Sequence, residues 1–536
     1  MQQAAPPSLG FWPLAEADPD HLALVVTEVE SGAETRMTAG ELLASVNRLV
    51  HGLRAVGVGR GDTVATVLAN EAAMVEVVLA TAQAGIYVVP INVHLAAPEM
   101  AYILADCGAK VLVASSRYAD VVRKAADEIG FPVHSRFATS QGSRGLAGRL
   151  ELPGFRDLDE LTRDQPTTAP DDRVAGLVMN YTSGTTGKPR GVRRAMPRLA
   201  PEALATSYAQ FLMLFGIQPR ANGVHLVVSP LYHTAVLNFC TYHLHAGHTV
   251  VVMDRWTPEG MLRCVQEHAV TTSHMVPTHF SRLLALPDDV KVKYDLSSMR
   301  HMIHSAAPCP VPVKHRMLAW WGPVIYEYYS ASEGGGTTAT PTDWLAHPGT
   351  VGRPWPISEI RVLDDAGEPV PPRAVGTVYI KMGNFKFEYH KDAAKTEKAW
   401  KEGFFTVGDA GYLDEEGFLY LCDRKADMII SGGVNIYPAE IESALLGHPR
   451  VADVAVFGIP DDEWGEQVKA VVECEGGVTP SPELADDILA FAREHLAGYK
   501  IPRTIDFTTA LPRDPNGKLY KRKLRDPYWA GRERAI

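Results

Sequence analysis

A chain of 536 residues exceeds what one simple core holds, and length alone predicts about three or four domain-sized units. Its 46% hydrophobic and 21% charged composition is that of an ordinary soluble globular protein. A net charge of −11 argues against non-specific nucleic-acid binding, which depends on neutralising phosphates with Lys and Arg. The six cysteines (107, 240, 264, 309, 422 and 474) form no CxxC pair, so neither a zinc site nor a disulfide framework is expected and a reducing cytoplasm fits. The first 30 residues contain Glu16, Asp18, Asp20 and Glu28 and no basic n-region before an apolar core, so no signal peptide is expected. No 18-residue uncharged apolar run predicts a membrane span.

Residues 1–36 read as a proline-bearing entry and a short hairpin with a strand at 22–26. Thr38 with Glu41 is a capping box for a helix running to about Val56. Strands at 62–68, 87–91 and 110–114 alternate with helices at 71–84 and 97–107, which predicts parallel, helix-covered sheets. Residues 135–170 are rich in Gly, Ser, Asp and Pro and read as an irregular connection. A helix near 199–215 and a strand at 224–228 follow, with further alternation to residue 330. From 375 to 421 the texture becomes short strands and turns, a small β-rich subdomain. A compact α/β unit follows, with helices at 438–446 and 482–496 and strands at 451–458 and 467–474. The basic stretch 520–534 reads as a solvated tail. The fold class is therefore α/β: a large N-terminal domain over 1–422, and a smaller α/β domain over 423–536.

Residues 181–192 read Tyr-Thr-Ser-Gly-Thr-Thr-Gly-Lys-Pro-Arg-Gly-Val, after an apolar run at 176–179 with the look of a buried strand. Such a loop can turn its backbone N–H groups inward as an anion cradle, with hydroxyls as further donors and Lys188 as a positive point charge. Gly184 and Gly187 permit the close backbone approach this needs. It is not a Walker A loop, because only two residues separate those glycines and Pro189 follows the lysine. A polyphosphate is the expected guest, and a flexible connector is the plain alternative.

The twelve-residue order resembles the phosphate-binding signature of the adenylate-forming superfamily, which includes acyl-CoA synthetases, peptide-synthetase adenylation domains and beetle luciferases. Four further stretches resemble that family's motifs in the family's order. They are Tyr-Tyr-Ser-Ala-Ser-Glu at 328–333, Phe-Phe-Thr-Val-Gly-Asp at 404–409, the run from Asp423 through Arg424 to Ser431, Gly432 and Gly433, and Leu-Pro-Arg-Asp-Pro-Asn-Gly-Lys at 511–518. The resemblance covers nearly the whole chain and is closest to acyl-CoA synthetases of the fatty-acid and steroid-acid type. It implies that ATP, Mg2+ and coenzyme A are used, and that the domain from 423 is a mobile lid.

The resemblance also implies residue roles. Thr182, Ser183, Gly184, Thr185, Thr186, Gly187 and Lys188 would hold the phosphates, with Thr186 also counted as catalytic. Tyr328, Tyr329, Ser330, Ala331 and Ser332 would contact the nucleotide, the tyrosine lying against adenine, with Ser305, Ala306 and Ala307 beside them. Glu333 would hold magnesium, as a hard oxygen ligand can. Asp409 would accept from the ribose hydroxyls and Arg424 would assist there. Ser431, Gly432 and Gly433 would line a narrow passage for a pantetheine arm, and Lys518 would act at the acyl carboxylate and the α-phosphate. Departures from the family pattern are Ser330 for glycine, Val407 for threonine, and Ala426 at the hinge position.

The acyl pocket is expected near residues 230–237, 275–280 and 305–308, with His233, Val236, Leu237, Val276, Thr278 and His279 against the substrate and His233 as a gate. These segments hold no lysine or arginine, which points to a carboxylic acid otherwise apolar. Gly334, Gly335 and Gly336 are expected to leave open volume, hence a medium-to-long fatty acid or a bulky, steroid-like acid. A hydrogen-bonded structural role for His233, loading of a carrier protein in place of CoA, a non-catalytic nucleotide-sensing protein of the same fold, and a homo-oligomer all stay open at this point.

Overall fold

The computed structural model describes residues 9–139, 152–182, 189–424, 427–432, 434–513 and 519–530, with backbone alone at Asp423 and Arg424. The chain divides into two compact units. One comprises Met1–His274, Leu286–Met302 and Lys386–Glu397; the other comprises Met275–Ala285, Ile303–Phe385 and Lys398–Ile536. Among the described residues no helix is long and apolar enough to cross a membrane.

The first unit is built from parallel strands and the helices that cover them, as the alternating pattern predicts. One sheet runs in the order 156–157, Arg136–Thr139, Ala109–Ser115, Thr63–Val67, Tyr87–Pro90, Leu177–Val178, all parallel. The segment 136–139 corrects the expectation of an irregular connection: Arg136, Phe137 and Ala138 are buried, and the strand completes the sheet beside Ala109–Ser115. A second group of strands centres on Leu22–Thr27, parallel to Thr249–Met253 and antiparallel to the edge strand Glu34–Thr38. The inner strands Thr63–Val67, Tyr87–Pro90, Leu22–Thr27 and Thr249–Met253 are largely apolar and mostly buried, as strands of helix-covered parallel sheets are. Helix Ala39–Ala55 starts at the expected capping box: Glu41 N–H donates to the Thr38 hydroxyl at 3.2 Å and Thr38 N–H to the Glu41 carboxylate at 2.8 Å.

The second unit is mainly antiparallel. Ile325–Ala331 and Gly334–Ala339 form a hairpin. Gly376–Met382 pairs with Ser358–Leu363 and with Asp409–Leu413, and the last pairs with Leu419–Arg424, which is the expected β-rich texture. Beyond it, Val451–Asp461 and Gly465–Cys474 make a long hairpin covered by helices Pro438–Leu445 and Pro482–His495. Ile429, Ile441, Val456, Val472 and Ile488 close a core there.

The reading of 520–534 as a solvated tail is corrected as far as residue 530. Helix Lys521–Arg525 docks through Lys521 on Glu442 at 2.9 Å and Arg525 on Asp427 at 3.2 Å, and the Trp529 indole N–H donates to the Gly458 carbonyl at 3.0 Å. Lys521 and Arg525 find partly buried acidic partners, which a count of charge along the sequence does not reveal, while Arg522 and Lys523 stay exposed.

Candidate active site

The strand pair that frames the phosphate-binding loop is in place. Asn180–Thr182 runs antiparallel to Arg190–Arg193, with Thr182 opposite Arg190 and Tyr181 opposite Gly191. The Tyr181 phenol donates to Asp106 at 2.6 Å, and Arg190 pairs with Asp392 at 3.3 Å. Gly191 lies where a Cβ would meet the Tyr181 ring at 3.1 Å, so the hairpin packs through a residue without a side chain. Ser183, Gly184, Thr185, Thr186, Gly187 and Lys188 lie outside the described residues, as do Gly433 and Lys518.

The nucleotide motifs converge in the second unit. Asp409 begins strand Asp409–Leu413 directly after Gly408, whose φ of 87° makes a turn that a glycine adopts freely. In register, Asp409 stands opposite Arg424, so the two residues expected at the ribose are cross-strand neighbours. The Tyr329 phenol donates to Asp409 Oδ2 at 2.7 Å, bringing a third expected residue to the same place. Successive side chains leave a strand on opposite faces, which places Tyr328 away from Tyr329. Tyr328 is buried and hydrogen-bonds with Ser305; burial pushes its phenol up to about 12, so it stays neutral. Ser330, the serine at the family's glycine position, stays in the strand opposite Gly336, and the register shifts between it and Ala331.

Ser332 and Glu333 form the turn between Ile325–Ala331 and Gly334–Ala339. Hairpin tips are ordinarily solvated, yet Glu333 is 6% exposed. Glu333 is the residue expected at magnesium, for which a carboxylate is a suitable hard ligand. Among the described residues no group of three or more His, Cys, Asp or Glu could hold a metal. Mg2+ shared with a polyphosphate asks for only one or two carboxylates from the protein.

The expected open volume at Gly334, Gly335 and Gly336 is corrected. A Cβ on Gly334 would meet the Phe385 ring at 2.9 Å, on Gly335 Ile380 at 2.4 Å, and on Gly336 the Tyr329 carbonyl oxygen at 2.1 Å. The glycines admit neighbouring side chains and backbone; the space they vacate is already filled.

Ser305 is buried, and Ala306 has φ 73°, a left-handed conformation that costs a non-glycine residue about 1–2 kcal/mol. His279 is buried in helix Pro277–Leu284, where its ring accepts from the Val276 N–H at 3.4 Å; burial, and then Arg282, hold it down to about 3, so it is a neutral capping group. Val276 is buried and Thr278 half-buried. In the first unit His233 precedes helix Thr234–His245, with its backbone carbonyl accepting from Leu237 at 2.9 Å and its ring 4.3 Å from that of Tyr232. Val236 and Leu237 belong to the core of that unit. Ser431 ends strand Ile429–Ser431, and the Trp464 ring lies on Gly432, where a Cβ would meet it at 2.5 Å.

Motif reading passed over Lys314 and Glu327, a buried ion pair at 2.7 Å beside the nucleotide motifs. The one sequence signal is a lysine within the otherwise largely apolar helix Val311–Trp321.

The family model described as AMP-binding enzyme matches residues 11–386, and the AMP-binding enzyme C-terminal domain matches residues 440–518. The chain belongs to the AMP-binding enzyme family. It is 34% identical to a feruloyl-CoA synthase of Amycolatopsis sp, across 96% of this chain and 98% of that protein. It is 33% identical to the long-chain-fatty-acid–CoA ligase FadD13 of Mycobacterium tuberculosis, across 94% and 95%. Among solved structures, the o-succinylbenzoate CoA synthetase of Bacillus subtilis in complex with the acyl-adenylate intermediate OSB-AMP superposes with a TM-score of 0.77 at 29% identity, covering 97% of this chain and 99% of that one. This AMP-binding enzyme is an adenylate-forming acid–thiol ligase, a class that works with ATP, Mg2+ and coenzyme A. Its small-molecule substrates are accordingly an acid, ATP and CoA.

Proposed function

We propose that the chain is an AMP-forming acyl-CoA ligase for a carboxylic acid that is apolar apart from its carboxylate, of medium chain length or larger or bulky and ring-containing. The observation that supports it most is the meeting of Tyr329, Asp409 and the Arg424 position at one strand pair, a ready-made seat for a ribose. In the first half-reaction a carboxylate oxygen attacks the α-phosphorus of ATP, the bond to the bridging oxygen breaks, and pyrophosphate leaves. In the second, the CoA thiolate attacks the acyl carbon and AMP departs with the former carboxylate oxygen. Positioning and charge stabilisation supply most of the first step. The loop from Thr182 to Lys188 grips the phosphates, Asp409 and Arg424 hold the ribose, Glu333 holds magnesium, and Lys518 acts at the α-phosphate. Mg2+, when bound, neutralises charge on the phosphates. Residues 423–536 serve as the mobile lid, hinged at Ala426, which brings Lys518 in for the first step and the passage at Gly432 and Gly433 for the second.

The acid's character rests on the uncharged segments at 230–237, 275–280 and 305–308 and on relatives named for feruloyl and long-chain fatty acids. It no longer rests on the glycines at 334–336, whose space is filled. A panel from acetate through octanoate and palmitate to ferulate and a steroid side-chain acid, followed by AMP release with ATP, Mg2+ and CoA, tests the reading. Turnover is expected from octanoate upwards or on the ring-containing acids. Preference for acetate or propionate would overturn the acid class, and transfer to a carrier-protein thiol with none to CoA would overturn the acceptor.

A further inference from the structure

Lys314, Glu327, His304 and Trp344 form a closed charged cluster inside the second unit. Lys314 lies on helix Val311–Trp321 and is 0% exposed; Glu327 lies on strand Ile325–Ala331 and is 5% exposed; His304, ending strand His301–His304, is 0% exposed. The Lys314 ammonium donates to Glu327 Oε2 at 2.7 Å and stands 4.7 Å from the centre of the Trp344 ring. His304 Nε2 lies 3.4 Å from the same carboxylate oxygen, and the Phe280 ring meets the imidazole edge-on at 5.2 Å. Burial, and then the neighbouring ammonium, keep His304 below its ordinary value and therefore neutral. Burial alone would raise the Glu327 carboxyl, but the Lys314 ammonium outweighs it and holds the group ionised. The cluster is thus one cation, one anion and a neutral ring, all buried.

Taking two charges out of water is costly, and an apolar pair of similar volume usually stabilises a fold as well or better. What an apolar pair lacks is direction: a charge-assisted hydrogen bond sets one register between helix and strand. The neighbours in sequence show what that register governs. His304 precedes Ser305 and Glu327 precedes Tyr328, and Ser305 and Tyr328 are themselves hydrogen-bonded. Because side chains alternate along a strand, the end of His301–His304 and the middle of the neighbouring Ile325–Ala331 are pinned on one face by the charged cluster and on the other by that bond. The first leads directly into Ala306, strained at φ 73°, and the second runs on through Ser330 to Ser332 and Glu333.

We propose that Lys314, Glu327 and His304 are positioning residues of the nucleotide site, holding the 305–307 segment and the 328–333 hairpin in the one register that receives MgATP. This rests on the ligase reading above. The test uses the full chain and MgATP as probe. Calorimetric binding and the KM for ATP in pyrophosphate exchange are followed in Lys314→Met/Glu327→Met and in His304→Gln, with thermal midpoints measured alongside. The double variant keeps the volume and removes both charges, so its thermal midpoint should equal or exceed the parent's. Its affinity for MgATP should nevertheless fall about tenfold to a hundredfold, the scale of a misplaced contact segment. His304→Gln leaves the ion pair intact and should raise the KM for ATP more than it lowers kcat. A folded double variant or a folded His304→Gln that binds MgATP as the parent does would overturn the positioning role. If the parent itself binds no MgATP, the ligase reading fails instead.

Discussion

Tyr329 is more than an aromatic surface, because its hydroxyl is committed to Asp409 at 2.7 Å. That bond fixes the carboxylate proposed to receive the ribose hydroxyls. Tyr329→Phe keeps the ring and releases the carboxylate. A charge-assisted hydrogen bond of about 1.5 kcal/mol corresponds to roughly tenfold in affinity, so the KM for ATP should rise about that much while kcat changes little. Steady-state kinetics with saturating acid and CoA measure the split. An unchanged KM would remove Tyr329 from the ribose side of the site. Motif matching could place Tyr329 and Asp409 in one site, since the family order does so. It could not show that they bond to each other, because residues 80 apart in sequence meet only through a tertiary path.

Helix Thr234–His245 illustrates a cost hidden from motif reading. Its His243 stacks on His225 with ring centres 4.1 Å apart and shares a hydrogen bond with His248 at 2.8 Å. The Thr272 hydroxyl bridges His225 at 2.9 Å and His243 at 3.3 Å, and the Gln218 carbonyl lies 3.0 Å from His248. His274 and His301 also face the group, so no carboxylate among these contacts favours a charged ring. Burial drives His225 and His243 well below their ordinary value, and His245 down to about 3. In the unfolded chain these rings take up protons near 6.5, whereas the folded chain excludes them. Their contribution is therefore whole above that pH and is lost as pH falls towards the folded values, with a slope of about 1.4 kcal/mol per pH unit for each excluded proton. Chemical denaturation at pH 7.5 and 5.5 should show a marked loss at the lower pH, and His243→Gln should flatten the slope. An equal slope in that variant would contradict the assignment. The helix itself was legible neither from a cap nor from a strong apolar stripe; its histidines are polar in composition and core in position.

Across the whole molecule, the proposed division of labour has a direct kinetic signature. Lys518→Ala should lose most acyl-adenylate formation, by roughly a hundredfold or more for a charge acting only in the transition state, yet still convert supplied acyl-adenylate and CoA to thioester. Rapid-quench measurement of each half-reaction separates the two, and equal loss in both would contradict alternation of the lid. The docked helix Lys521–Arg525 bears on the same question, since its ion pairs to Glu442 and Asp427 anchor the chain shortly after that lysine.

Local pattern determined a good deal by itself. The capping box at Thr38, the parallel strands between helices and the β-rich stretch after 375 depend on periodicity and turn chemistry within some 20 residues, and such signals survive without tertiary context. Family order likewise named Asp409, Arg424 and Glu333 as parts of one site. Only the tertiary structure decided the rest. Whether a glycine leaves space depends on what packs against it, and Phe385, Ile380 and Trp355 fill the room at 334–336. Whether a basic stretch stays in water depends on acidic partners far away in sequence, which residues 521–525 find. Whether a lysine in a helix is surface or core depends on a carboxylate across the packing layer, and for Lys314 that carboxylate is Glu327. Each is a question of long-range contact, and a one-dimensional pattern holds no information on which distant side chain arrives.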